Sequence, residues 1–179
     1  MFEQLLTTAL HEIKSDSPVV LVSVAHATGS TPRNEGAMML AGAQGLLCGT
    51  IGGGLLEHRC LELAAAQPTL GHLMHFELDN RKAGSLGMVC GGTTEVLFTP
   101  LCDPAPLQKA LASLQDRKTA WLCLPLDGSA PTVAQDGLFP PHPSVLSRDG
   151  KKMLCTPLSD AGRVFVIGGG HVSYELCTL

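Results

Sequence analysis

Val19-Val20-Leu21-Val22-Ser23-Val24-Ala25-His26-Ala27 is a β-branched, almost uninterrupted apolar run that follows Pro18. A strand with one wet face alternates apolar and polar residues. A short run without that alternation predicts a strand buried on both faces. Such a strand needs cover on each side, and the flanking sequence supplies it. Upstream, Phe2, Leu5, Leu6, Ala9, Leu10 and Ile13 recur at helical spacing, so the first fourteen residues predict an amphipathic helix docked on a sheet. Downstream, a polar loop from Thr28 to Glu35 leads to a second short strand around Ala37 to Ala41 and a third over Leu46 to Ile51. Gly52, Gly53 and Gly54 break the third strand. Leu55, Leu56, Arg59, Cys60, Leu63 and Ala64 then keep a helical rhythm as far as Pro68.

Further out, Leu73 to Leu78 and Thr94 to Leu101 predict two more strands, separated by the glycine-rich loop Asp79 to Gly92 that carries Cys90. Asp103 as cap and Pro104 in the first turn open another helix, with Leu107, Ala110, Leu111 and Leu114 as its buried stripe. Ala120 to Leu126 returns to strand. From Asp127 to Gly150 the prolines 131, 140, 141 and 143 limit regular structure, leaving one short strand at Thr132 to Ala134. Strands and helices in alternation imply an α/β layer architecture. The expected organisation is a layered N-terminal α/β domain at 1–126 with a mixed sheet and flanking helices, a linker or peripheral hairpin segment at 127–160, and the start of a second unit at 161–179.

That second unit rests on Val164 to Ser173, an apolar strand running into Gly168-Gly169-Gly170 with Ser173 where a third small residue is expected. This is the strand, turn and helix start of a Rossmann-like βα unit, with Gly168 and Gly170 as nucleotide-facing positions. The acidic residue that would bind ribose about 20 positions further on falls beyond Leu179. The expectation is therefore a truncated unit that cannot complete a nucleotide pocket alone.

Hydrophobic residues make up 45% of the 179 and charged residues 16%, a balance that supports a folded core. A net charge of −4 with no basic run provides no field to gather nucleic acid or an anionic membrane surface. No segment approaches the roughly 20 apolar residues needed to span a bilayer. The N-terminus, with Glu3 and no basic flank, does not resemble an export signal, so the expected location is cytoplasmic. Seven cysteines, odd in number and without a CxxC pair, fit neither a disulfide framework nor a structural zinc site and point to a reducing compartment. No histidine pair has HExxH spacing, and no metal site is expected.

Four segments could carry chemistry. Gly52-Gly53-Gly54 ahead of a helix can present backbone amides to a phosphate, or can simply be a tight turn packing helix on strand. Glu57 in the following helical turn would sit badly beside a bare anion. Ser30 and Arg33 in Gly29-Ser30-Thr31-Pro32-Arg33 can grip a phosphate or carboxylate, or be a solvated loop. Cys90, followed by Gly91 and Gly92, has an accessible backbone and free amides that favour a thiolate; the alternative is a small buried residue in a turn. His26 at the end of the first strand could line a site or be an ordinary hydrogen-bonded histidine.

Taken together, GSTPR at 29–33, GAMML at 36–40, GTIGGGLLE at 49–57, GMVCGG at 87–92 and VIGGGHVSYEL at 166–176 resemble the XdhC/CoxI family, accessory proteins for molybdenum hydroxylases such as xanthine dehydrogenase. The resemblance covers nearly the whole chain. It implies a cofactor-handling chaperone rather than an enzyme with its own turnover, one that binds the molybdenum cofactor (molybdopterin), supports its sulfuration and passes it to a client hydroxylase. It implies Arg33, Ser30, Gly52, Gly53, Gly54, Gly91 and Gly92 as cofactor contacts and Cys90 as a sulfur-handling thiol. A cysteine desulfurase and a homodimer are the further partners considered. The alternatives are an NAD(P)-dependent oxidoreductase, which would need the complete C-terminal domain, and a non-functional fragment of the accessory protein.

Overall fold

The structure is a computed structural model that describes residues 2–78, 91–135, 137, 139–158 and 166–178. Nine strands form two sheets. The first holds β1 (Val19–Thr28), β2 (Met38–Gly42), β3 (Gly45–Gly49), β4 (His72–Glu77) and β5 (Thr93–Pro100) in the order β3-β2-β1-β5-β4. The second holds β6 (Trp121–Pro125), β7 (Thr132–Ala134), β8 (Ser144–Arg148) and β9 (Lys151–Pro157) in the order β7-β6-β9-β8. Helices α1 (Phe2–Lys14), α2 (Gly54–Ala66) and α3 (Pro104–Gln115) flank the sheets, and α4 (His171–Thr178) follows.

The apolar run Val19 to Ala27 lies in the central strand of the first sheet, buried from Val19 to Ala25. Its side chains divide by parity, as a period of two requires. Val19, Leu21 and Ala25 join Phe2, Leu6 and Leu10 of α1, Leu107 and Ala110 of α3 and Leu122, Leu124 and Leu154 of the second sheet in one core. Val20, Val22 and Val24 turn the other way and pack with Leu56, Cys60 and Ala64 of α2. Fully burying each such side chain contributes about 1.5–3 kcal/mol, so a central strand covered on both faces anchors the fold. Asp103 caps α3 as its sequence implies, its Oδ1 accepting from the amide of Ala105 at 2.9 Å.

Two expectations change in detail. The α/β layering with flanking helices holds, but in place of a mixed sheet every pairing among the described residues is antiparallel. Neighbouring strands here are joined by hairpins or by connections that return along the opposite direction, and α2 and α3 bridge between edge or separate strands. The segment from Asp127 to Gly150 is also less loop-like than its prolines suggest, because those at 140, 141 and 143 precede β8 and do not interrupt it. Asp149 and Gly150, with φ of 51° and 77°, link Arg148 to its partner Lys151 as a two-residue hairpin turn. β9 then pairs along β6, so the second sheet is built largely from the stretch read as linker or peripheral hairpin.

At the C-terminus, residues 164 and 165 lie outside the described residues, and 166–169 form no strand; Ile167 is 97% exposed. The helix expected after the glycines is present as α4. Among the described residues no helix is long and apolar enough to cross a membrane.

Candidate functional site

The ends of β1, β3 and β5 deliver three glycine-containing loops to one edge of the first sheet. A Cβ on Gly92 would lie 2.5 Å from the Thr28 carbonyl oxygen and 2.7 Å from that of Ser30, so the Gly91-Gly92 segment runs against the loop 29–33 with no room for a side chain. The hydroxyls of Thr28 and Thr93 meet at 2.6 Å beside this contact. On the other flank, a Cβ on Gly52 would lie 2.5 Å from Pro32 Cβ, and Gly52 has φ of 131°. At Gly92 backbone meets backbone and at Gly52 backbone meets the Pro32 ring, and glycine is the residue that permits both. Ser30, Arg33, Gly52, Gly53, Gly54, Gly91 and Gly92, far apart in sequence, are thus drawn into one cluster. Cys90 lies outside the described residues. None of the contacts that tie these loops together involves Gly168 or Gly170, and Gly170 has no heavy atom within 4 Å of where a Cβ would stand.

Inside the cluster the amides of Ile51, Gly52 and Gly53 are already engaged. Glu57 reaches back from the first turn of α2, and its Oε2 accepts from the Thr50 hydroxyl at 2.6 Å and from the amides of Ile51 and Gly53 at 3.1 Å each. The Gly52 amide donates to Thr50 Oγ1 at 3.1 Å. A carboxylate of the chain itself occupies the position an external anion would take at a helix N-terminus. Of the expected phosphate contacts Gly52, Gly53 and Gly54, the first two already donate their amides within the chain, and an anion beside them would face Glu57.

The open space lies beside the turn. A groove of about 620 Å³ runs between the 32–38 segment and the second sheet, walled by Arg33, Glu35, Thr50, Pro141, Pro143 and Thr156. That volume falls in the range of small-molecule sites. Gly36, at φ of 82°, packs directly on Pro143 and thereby brings the first sheet's loop onto the second sheet. Arg33 is exposed and makes no ion pair among the described residues. Glu35 is engaged, with Oε1 accepting from the Ala27 amide at 3.2 Å and lying 3.2 Å from His26 Nδ1. His26 therefore braces the loop instead of facing a ligand. Thr156, 2% exposed, has a hydroxyl with no hydrogen-bond partner. Buried hydroxyls are normally satisfied, so an orphan on a groove wall marks a place for a ligand or water. Sequence reasoning missed Thr156, because only the pairing of β9 with β6 carries it to this wall.

Residues 13–77 match the XdhC and CoxI family. They belong to it. The matched stretch runs from the end of α1 to the end of β4 and includes the loop 29–33, the turn 49–54 and Glu57. The chain is also similar to the uncharacterised protein YqeB of Escherichia coli strain K12, 33% identical over 97 residues that make up 53% of this chain and 18% of YqeB. Among solved structures it resembles a xanthine dehydrogenase from Bacillus halodurans, with a TM-score of 0.56 and 25% identity over 72% of this chain and 43% of that one. The chain spans less than half the length of either relative. The XdhC and CoxI segment thus supplies two of the three clustered loops, and β5 brings the third.

Proposed function

We propose that this chain serves in the maturation of a molybdenum hydroxylase of the xanthine dehydrogenase type, binding the molybdenum pterin cofactor in the groove beside the clustered loops and assisting its sulfuration and insertion. The observation that carries the reading is a groove walled by Arg33 and Thr50, from two of the clustered loops, in a chain whose residues 13–77 match the XdhC and CoxI family.

The cofactor supplies a phosphate at one end and a metal that takes sulfur at the other, and the residues present fit the first of these at Arg33. Its planar guanidinium matches phosphate geometry. The unpartnered Thr156 hydroxyl offers a hydrogen bond from the opposite wall, and Pro141 and Pro143 exclude water from that side without competing donors. The glycine turn shapes the groove instead of binding the phosphate, held rigid by Glu57. Cys90, which precedes Gly91 in the sequence, is the proposed sulfur-handling thiol, with a cysteine desulfurase as its donor. This is delivery chemistry, in which a bound group is held and handed on.

The test is co-purification. Protein expressed in a host that makes molybdopterin should carry it, measured as the fluorescence of its oxidised form, above the level of an unrelated protein prepared in parallel. A background level in repeated preparations would sink the reading. If Cys90→Ser protein matured a client hydroxylase to full sulfuration, the sulfur role of Cys90 would be wrong even with cofactor binding intact.

A further inference from the structure

Cys123 on β6 and Cys155 on β9 are directly opposed in an antiparallel pair, and their sulfurs lie 3.3 Å apart in the second sheet. Directly opposed residues of antiparallel strands have Cα atoms about 4.5–5.5 Å apart, inside the range of about 4.4–6.8 Å that a disulfide requires. The pairing puts them within reach of a disulfide. The sulfurs are too close to share a tetrahedral zinc ion, which would hold two thiolates about 3.8 Å apart for zinc–sulfur bonds of about 2.3 Å.

We propose that Cys123 and Cys155 form a reversible dithiol–disulfide site that reacts with a small peroxide. The surroundings suit the reaction. Cys155 backs a groove of about 290 Å³ on the face of the second sheet away from the main core, whose other walls include Arg148, Phe139 and Met153. Both sulfurs are buried, Cys155 at 0% and Cys123 at 2% exposure, and of the two it is Cys155 that lines the groove. The Arg148 guanidinium, placed 5.4 Å over the Phe139 ring, adds positive charge near both sulfurs. The Cys155 thiol donates to the Cys123 sulfur, which favours the thiolate on Cys123 and holds the Cys155 proton in place.

The electron count closes with hydrogen peroxide as oxidant. One sulfur of the pair, as thiolate, attacks a peroxide oxygen; a sulfur–oxygen bond forms, the oxygen–oxygen bond breaks and hydroxide leaves, taking a proton to become water. The neighbouring sulfur then attacks the sulfenic sulfur; the sulfur–sulfur bond forms, the sulfur–oxygen bond breaks and a second water leaves with that thiol's proton. Two thiols lose two electrons, and one peroxide becomes two waters. An external dithiol reverses the step by exchange. Cys48, Cys60 and Cys102 are free thiols, and none of them is hydrogen-bonded to another cysteine among the described residues.

The experiment uses the full chain, reduced, freed of reductant and treated with one equivalent of hydrogen peroxide before alkylation and digestion without reductant. Cleavage after Lys118, Arg148, Lys152 and Arg163 separates the two cysteines onto different peptides. A cross-linked pair joining Cys123 to Cys155, an intact mass lower by two hydrogens and reversal by dithiothreitol are the expected results. Oxidation should also raise the urea midpoint of wild type, with no rise in Cys123→Ser or Cys155→Ser. The peptide map on wild type needs no variant and stands if either serine substitution fails to fold. Recovery of both cysteines alkylated, or cross-links made through other cysteines in their place, would overturn the proposal.

Discussion

Glu57 accepts a hydrogen bond from the backbone amide of Gly53, four residues before it, at 3.1 Å. The same oxygen takes the Thr50 hydroxyl and the Ile51 amide. One half-buried carboxylate therefore organises the turn that links β3 to α2 and fixes the wall on which Pro32 and Arg33 rest. Glu57→Ala leaves these donors without their acceptor, at a cost of about 1–3 kcal/mol. Glu57→Gln keeps an acceptor and should lose less. Urea denaturation of both variants checks this, and an alanine variant as stable as wild type would show that the carboxylate does not hold the turn.

Gly91 and Gly92 are adjacent but differ in what a methyl group would meet. At Gly92 it would strike the carbonyl oxygens of Thr28 and Ser30, which are backbone and cannot rotate away. At Gly91 there is open space and only a φ of 70° to oppose it. Gly91→Ala should therefore cost about 1–2 kcal/mol of left-handed strain. Gly92→Ala should cost more, with overpacking of about 1–3 kcal/mol and a displaced 29–33 loop. Equal losses in thermal or urea unfolding would contradict the close approach of the two loops.

Arg33 is exposed, so its removal should leave stability unchanged within about 0.5 kcal/mol. If it grips the cofactor phosphate, Arg33→Ala should retain roughly 10- to 100-fold less molybdopterin, the worth of one charge-assisted contact. Arg33→Lys should keep the charge but lose the paired geometry and fall between. Retention equal to wild type in the alanine variant would move the phosphate elsewhere in the groove.

Cys60 is fully buried on the inner face of α2, and burial, helped by the Glu57 carboxylate, pushes its thiol from an ordinary 9.0 up to about 12. The folded state thus holds the proton more tightly than the unfolded chain does. Its contribution to stability is complete below pH 9 and is lost as pH rises from about 9 towards 12, at a slope near 1.4 kcal/mol per unit. The difference in stability between wild type and Cys60→Ala should therefore move against wild type across this window. A constant difference would show that Cys60 does not titrate with unfolding. Cys60 should also resist alkylation until the protein unfolds.

Much of the fold was legible in local pattern. The run Val19 to Ala27 lacks polar alternation because both faces of β1 are covered, by α1 and α3 on one side and α2 on the other. The stripe of α1, the Asp103-Pro104 opening of α3 and the glycine break before α2 are all written within a few residues. The hairpin of β8 and β9 was less legible, since Asp149-Gly150 is a strong turn signal set among prolines that argue for loop. Strand direction was not readable at all, because pairing partners are set by contacts between distant segments.

The sequence by itself determined the buried central strand, the helices that cover it, the glycine-bearing loops and a family resemblance spread along the chain, since each depends on residue chemistry and short-range spacing. Tertiary structure alone decided what those loops do. It brought 29–33, 49–54 and 91–92 to one edge, turned Glu57 back onto the amides that seemed free for a phosphate, set the orphan Thr156 hydroxyl against Arg33 across a groove, and placed Cys123 opposite Cys155. A hydrogen-bond donor is available to a ligand only if no other part of the chain has claimed it, and that depends on which distant residues folding brings within reach.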